Sequence, residues 1–267
     1  MALTLVKAHA YGNDFLYLED AAFDRPDGPA LARVLCARHT GVGADGLILF
    51  RLTDDGAAMR LFNADGSYSE VSGNGVRGLA ALCCWRAVQA GRMAPASVVI
   101  ATDAGDKLLT VLESRPPQFV CRAAMGHPST PAQQVIDVHG EPVTAVVLRV
   151  GNPQCVVLEP RLDEARYRRL GAALERHPYF PAGTNVEFAV VEDPGHVRIL
   201  IWERGVGPTT ASGTGACAAA VAAMAFGGAS RDVQVTSPGG TQRVEWHDDG
   251  LYLTGWAEVL WEGRWTR

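Results

Sequence analysis

Short apolar runs, bounded by glycine, asparagine and proline, recur along the whole chain. That pattern predicts many strands separated by a few helices. In the first half it predicts strands over 3–7, 14–19, 46–51 and 58–63 with a helix near 28–40. A helix from about Gly75 to Ala90 and strands near 97–101 and 107–113 follow. Arg115-Pro116-Pro117 is the expected crossing point, because tandem prolines interrupt both helix and ladder. Beyond it the pattern predicts strands near 118–124, 145–149, 154–158, 185–191 and 196–202, a helix at about 162–176, and an Ala-rich helix from Gly215 to Phe226. Strands near 232–236, 241–246 and 250–254 complete this half, and a last strand at 259–265 is expected to return to the first domain. The helices beginning at Gly75 and Gly215 are apolar nearly all round, which places each inside its domain.

The two halves repeat. Gly12-Asn13 has a counterpart at Gly151-Asn152, a shift of 139, and Ser72-Gly73-Asn74-Gly75 has one at Ser212-Gly213-Thr214-Gly215, a shift of 140. Each GN precedes an apolar run and each SGxG opens a helical one. MRLFNADG at 59–66 also falls beside ILIWERGV at 199–206. Several coincidences in the same order at nearly one spacing point to a duplicated α/β unit. The expected domains are 1–116, with strand 258–267 returning to it, and 117–257.

Composition narrows the function. The chain has 267 residues, 48% of them apolar and 20% charged, values of an ordinary globular protein long enough for two cores. A net charge of −5 argues against a nucleic-acid partner, which needs a basic footprint. The start MALTLVKAHAYGND lacks the basic and apolar segments of a signal peptide, and the longest apolar run is shorter than the roughly 20 residues of a membrane span. Cys36, Cys83, Cys84, Cys121, Cys155 and Cys217 form no CxxC pair and no metal spacing. Reduced thiols in a cytoplasmic protein, with no membrane partner and no metal, are the expectation.

The SGxG turns carry the chemistry. A helix N-terminus presents unpaired N–H groups and partial positive charge, and glycine lets a ligand approach the backbone. Ser72 and Ser212 also suit plain N-caps, which is the sufficient reading for one isolated serine. Two such turns in a duplicated chain suggest more: a carboxylate held from two sides, with one side chain on each face of the bound carbon. Asn13, Asn63, Asn152 and Asn185 interrupt or end apolar runs, and Glu203-Arg204 ends another. Singly these fit Asx turns and a solvated strand end. Together they suit a net-neutral pocket for an amino acid. No phosphate loop, dinucleotide fingerprint or HExxH occurs.

GNDF at 12–15, GVGADGLILF at 41–50, FNADGS at 62–67, SGNGVR at 72–77, GNPQ at 151–154, TNVEF at 184–188 and ERGVG at 203–207, followed by SGTGACAAA, resemble the diaminopimelate epimerase family in order over nearly the whole chain. The resemblance implies two pseudo-symmetric α/β domains, each a curled, mostly antiparallel sheet around a central helix. It implies inversion of one α-carbon of diaminopimelate between LL and meso forms, for lysine and peptidoglycan precursors, with no pyridoxal phosphate or other cofactor, and a homodimer. By resemblance, backbone groups at Gly73-Asn74 and Gly213-Thr214 hold the reacting carboxylate. Asn13, Asn63, Asn152, Asn185, Glu203 and Arg204 match residues that recognise the amino and carboxylate groups of the substrate.

The departures are equally specific. Ser72 and Ser212, the expected catalytic pair, stand where the family carries its two acid/base cysteines. Gln154 replaces the usual histidine after GNP, and Pro208 the usual glutamate of GxGET. A serine hydroxyl is a far weaker acid than a thiol and needs a neighbouring base. The alternatives to a serine-type diaminopimelate epimerase are a racemase or isomerase for another amino acid, a silent binding paralogue, and an enzyme inactivated by replacing its cysteines.

Overall fold

The computed structural model describes residues 2–20 and 27–266. Met1, 21–26 and Arg267, which belong to the expected first domain, lie outside the described residues. The chain forms two compact units, Met1–Ala123 with Gly255–Arg267, and Ala124–Thr254.

The first unit runs β1 (Leu3–Ala10), β2 (Asn13–Glu19), α1 (Gly28–Cys36), β3 (Gly46–Thr53), β4 (Gly56–Asn63), β5 (Tyr68–Ser69), α2 (Gly73–Gln89), β6 (Ser97–Ala101), β7 (Lys107–Arg115) and β8 (Gln118–Gly126). Strands β1–β2, β3–β4, β4–β5, β6–β7 and β7–β8 pair antiparallel, while β2–β3 and β4–β6 pair parallel around their crossover helices. The second unit repeats this plan with β9 (Ala132–Val138), β10 (Glu141–Val150), β11 (Asn152–Leu158), α3 (Glu164–Glu175), β12 (Asn185–Asp193), β13 (His196–Glu203), β14 (Gly207–Thr209), α4 (Gly213–Phe226), β15 (Asp232–Ser237), β16 (Gly240–His247) and β17 (Gly250–Trp265). Its parallel pairs, β11–β12 and β13–β15, stand where β2–β3 and β4–β6 stand in the first unit. Each unit is therefore a curled, mostly antiparallel sheet wound around one central helix.

The central strands of each sheet are buried on both faces. In the first unit Leu5, Leu16, Leu47 and Leu49 pack against Ala32 and Leu35 of α1. In the second, Val186 and Phe188 pack against Tyr167, Leu170 and Leu174 of α3, while Val156, Ala189, Ile199 and Ile201 enclose α4. Every residue of α4 from Gly215 to Ala223 is buried, and alanine is the strongest helix former that fits so confined a space. No helix among the described residues is long and apolar enough to cross a membrane.

Several elements differ from the sequence reading. Helix α1 stops at Cys36 rather than near residue 40, because the chain turns back over its end and Val42 N–H donates to the Leu35 carbonyl at 2.8 Å. The Arg115-Pro116-Pro117 stretch forms the turn of the β7–β8 hairpin, so strand 118–124 pairs within the first unit instead of opening the second half. The units divide at Ala123/Ala124 and Thr254/Gly255. The runs 250–254 and 259–265 are one strand, since the inward–outward alternation continues through Gly255, Ala257 and Val259. Gly255 marks close approach rather than a break: a Cβ there would lie 2.8 Å from the Tyr11 hydroxyl. β9 escaped notice because only Ile136 and Val138 of AQQVIDV are buried.

Candidate active site

The repeat places equivalent residues at equivalent points in the two units. Asn13 and Asn152 are the first residues of β2 and β11, each following a glycine at positive φ, Gly12 at 88° and Gly151 at 74°. That left-handed backbone is cheap for glycine and sets the tight turn that starts each strand. Asn63 and Glu203 end β4 and β13. Ser72 and Ser212 cap α2 and α4 with nearly the same backbone angles, and each Oγ accepts from the N–H three residues on, Gly75 and Gly215, at 3.1 Å. The next N–H in each helix bonds the serine's own carbonyl. The N–H groups of Gly73, Asn74, Gly213 and Thr214 thus have no partner within their helices. In front of Gly73 a Cβ would meet nothing within 4 Å.

In the first unit, Asn13 is held from two sides. Its Nδ2 donates to Asp45 Oδ2 at 2.7 Å and its Oδ1 accepts from Asn74 Nδ2 at 3.2 Å. Asn74, 4% exposed, in turn accepts from Arg77 at 3.3 Å. The Asp45 carboxylate is itself gripped by Arg38 at 2.7 Å, as is Asp14 at 2.9 Å. The structure therefore joins Asn13 and Asn74 beside Ser72. Asn63 instead bonds Ser67 within its own turn, Nδ2 to Oγ at 2.9 Å.

In the second unit, Asn185 is 5% exposed and accepts from the Arg204 backbone N–H at 2.9 Å. Its amide nitrogen lies 3.5 Å from the Pro153 carbonyl, next to Asn152. Arg204 sends its guanidinium to the Ala182 carbonyl at 3.0 Å. Glu175 fixes this turn from below, accepting from Gly205 N–H and Trp202 Nε1, both at 2.9 Å. Burial opposes the charge of Glu175, yet these bonds and nearby Arg176 hold its carboxyl below the ordinary value. Asn152, Asn185 and Arg204 are thereby brought together at the β11–β12–β13 strand ends, with Glu203 preceding the turn.

Ser212 is 8% exposed, and its Oγ lies 3.4 Å from Thr214 Oγ1. Beneath it sits Glu187, wholly buried on the face of β12 turned toward α4. Burial pushes its carboxyl well above the usual range, and the like charge of Glu203 pushes the same way. Gln154 bridges the two. With its amide nitrogen toward Glu187 it donates to Oε1 at 3.0 Å and Oε2 at 3.2 Å, and its oxygen accepts from Thr214 Oγ1 at 3.3 Å. Pro208 sits in β14 opposite Trp202 and brings no carboxyl to this end of the sheet.

Sequence reasoning passed over Asp45, Glu175 and Glu187. The signal for Glu187 was present in NVEFAVV, a lone carboxylate at an inward position of an apolar strand. No comparable pattern marks Asp45 or Glu175, which act through folded proximity. Four of the cysteines offer no substitute base: burial pushes Cys36 and Cys84 up to about 12, and Cys83 and Cys121 to about 11. Among the described residues, no cluster of three or more His, Cys, Asp or Glu is arranged to hold a metal ion.

The family profile described as diaminopimelate epimerase matches residues 5–130 and 146–260. The chain belongs to the diaminopimelate epimerase family. Diaminopimelate epimerase of Desulforudis audaxviator is 40% identical over 99% of this chain and 100% of its own length. That of Desulfitobacterium hafniense is 38% identical over 98% and 97%. Among solved structures, a predicted epimerase from Pseudomonas aeruginosa superposes with a TM-score of 0.72 at 16% identity over 99% of each chain. A hydroxyproline epimerase from Agrobacterium vitis, with bound trans-4-hydroxy-L-proline, gives 0.72 at 17% over 99% of this chain and 91% of its own. These distant neighbours share the fold, and the family assignment makes the protein an isomerase.

Proposed function

We propose that the protein interconverts LL- and meso-diaminopimelate without a cofactor, using Ser72 and Ser212 as its proton-handling pair. The observation that carries this reading is the matched pair of serine-capped helix starts, one at the heart of each unit. Epimerisation takes a proton from one face of a carbon and returns one to the other, so it requires two such groups. The N–H groups at Gly73-Asn74 and Gly213-Thr214 stabilise charge that develops on the substrate carboxylate. Asn13, Asn63, Asn152, Asn185, Glu203 and Arg204 bind its amino and carboxylate groups. A lysine and peptidoglycan precursor route in the cytoplasm and a homodimer complete the reading.

Incubation with LL- and meso-diaminopimelate in deuterated water tests it. Exchange of the α-proton confined to these substrates is expected, with a drop on the order of 10²-fold in Ser72→Ala or Ser212→Ala. Exchange of other amino acids instead would identify a different racemase. The serines, together with the residues Gln154 and Pro208, favour one second reading, a binding protein without turnover. Binding of diaminopimelate with no exchange would establish it. A gain of exchange in the Ser72→Cys, Ser212→Cys double variant would show the frame intact.

A further inference from the structure

The duplication allows the two serines to be compared position by position, and their surroundings differ. At the two strand positions facing the helix start, the first unit has Phe15 and Ile48 while the second has Gln154 and Glu187, each 139 residues on. A Cβ added to Gly75 would lie 2.8 Å from Ile48 Cδ1 and 3.5 Å from Ser72 Oγ. A Cβ added to Gly215 would lie 2.7 Å from Glu187 Oε1 and 3.2 Å from Ser212 Oγ. The Glu187 carboxyl thus occupies the place of the Ile48 methyl, within reach of Ser212 through one bridging group. Gln154 and Thr214 form a polar chain between them, from Glu187 to Gln154 to Thr214 to Ser212.

We propose that Glu187 is the proton-holding partner of Ser212, a positioning residue that acts through the serine and makes the second unit the more active side of α-proton exchange. As the α-carbon proton passes to Ser212 Oγ, the serine's hydroxyl proton passes to a bridging water, which gives one of its own protons to the Glu187 carboxylate. The C–H electron pair stays on the α-carbon, and nothing is oxidised or reduced. In the return direction the Glu187 acid resupplies the serine, which reprotonates the carbon. Burial and the like charge of Glu203 raise the Glu187 carboxyl, so abstraction from this side accelerates as pH rises through its elevated titration. The groups that face it are few. β13 contributes the Glu203 carboxyl, and β11 contributes Gln154, with the Cys155 thiol on its opposite face. α4 contributes Ser212 and Thr214, Cys217 being its one ionisable side chain. α3 packs on the far face of β12, against Val186 and Phe188.

This inference rests on the epimerase reading for the carbon that is exchanged, while the link between the two side chains stands apart from it. Two measurements separate the two. First, Ser72→Cys and Ser212→Cys variants are alkylated with iodoacetamide across a pH series, and the thiol at each position is followed by peptide mass spectrometry. The thiol at position 212 is expected to ionise about one pH unit higher than after adding Glu187→Gln. The thiol at position 72 should not respond to that change. An unaltered titration at position 212 would overturn the proposal. Should the glutamine variant not fold, Glu187→Asp serves instead, with a smaller change at the same thiol expected and no change overturning the link.

Second, α-proton exchange with diaminopimelate is followed against pH. The alkaline rise should vanish in Glu187→Gln, with the rate down about 10²-fold and diaminopimelate binding retained. Glu187→Asp should restore part of the rise, which a merely structural role would not do, and a pH profile unmoved by either variant would overturn the proposal. Coupled thiols without any exchange would defeat the substrate reading while leaving the Glu187 link standing.

Discussion

Glu187 also affects stability, with a definite sign. Its folded-state value is raised by burial and by Glu203, so the folded protein binds this proton more tightly than the unfolded chain does. The resulting stability is fully present below the ordinary glutamate value and is lost as pH rises toward the elevated one. A tenfold difference in proton affinity between the folded and unfolded chain is worth about 1.4 kcal/mol. Glu187→Gln is therefore expected to melt at a higher temperature than the parent at pH 8, with the gain disappearing near pH 4. A gain that persists unchanged in acid would show that its cause is packing rather than charge. Asp14 has the opposite sign. Burial resists its charge, yet bonds from Arg38 and Lys7 hold the carboxyl below its usual value. Its contribution is present above the ordinary aspartate value and is lost as pH falls through the depressed one, so Asp14→Asn should flatten the acid side of the melting profile. Ser72 and Ser212 were legible in the sequence because a capping serine and a glycine-rich start form a local signal. Glu187 and Asp45 were not, since their contacts depend on strands that meet only after folding.

At the scale of elements, close packing replaces local pattern as the governing constraint. Gly78 faces inward from α2, and a Cβ there would lie 2.1 Å from the Tyr17 hydroxyl, which donates to the Gly75 carbonyl at 3.0 Å. Gly78→Ala must break that bond or displace a buried ring, although alanine is the better helix former. A loss of about 1–3 kcal/mol, read from chemical denaturation, is expected. Ala220 of α4 is wholly buried, and Ala220→Leu should cost a similar amount for the same reason. The apolar character of both helices told of their burial, and their strands were readable from apolar runs. Helix α1 was overextended because its end is set by chain reversal, and β9 was missed because most of its side chains face solvent. The continuity of β17 was obscured by Gly255, whose small size serves an approach by Tyr11 and Arg77.

For the molecule as a whole, the repeat was the most informative signal in the sequence. A shift of 139 carries Asn13 to Asn152 at matching strand starts, and a shift of 140 carries Ser72 to Ser212 at matching helix caps. The order of parallel and antiparallel pairs then agrees between the units. The return of the last strand to the first unit, expected from the sequence, is also what the structure shows. The first half of β17 pairs with β16, and its second half pairs with β1 from Leu3 to His9.

That last pairing bears on how the protein comes into being. Synthesis delivers the second unit's whole stretch, Ala124–Thr254, before the strand that lies beside β1 has been made. β1 is therefore made well before the strand that completes its edge. Until translation has passed Trp265, β1 waits with an open edge, a surface on which stray strands can pair. A chain ending at Thr254 should accordingly show protease protection over 124–254 and weaker protection over β1, and adding residues 255–266 should extend protection to β1.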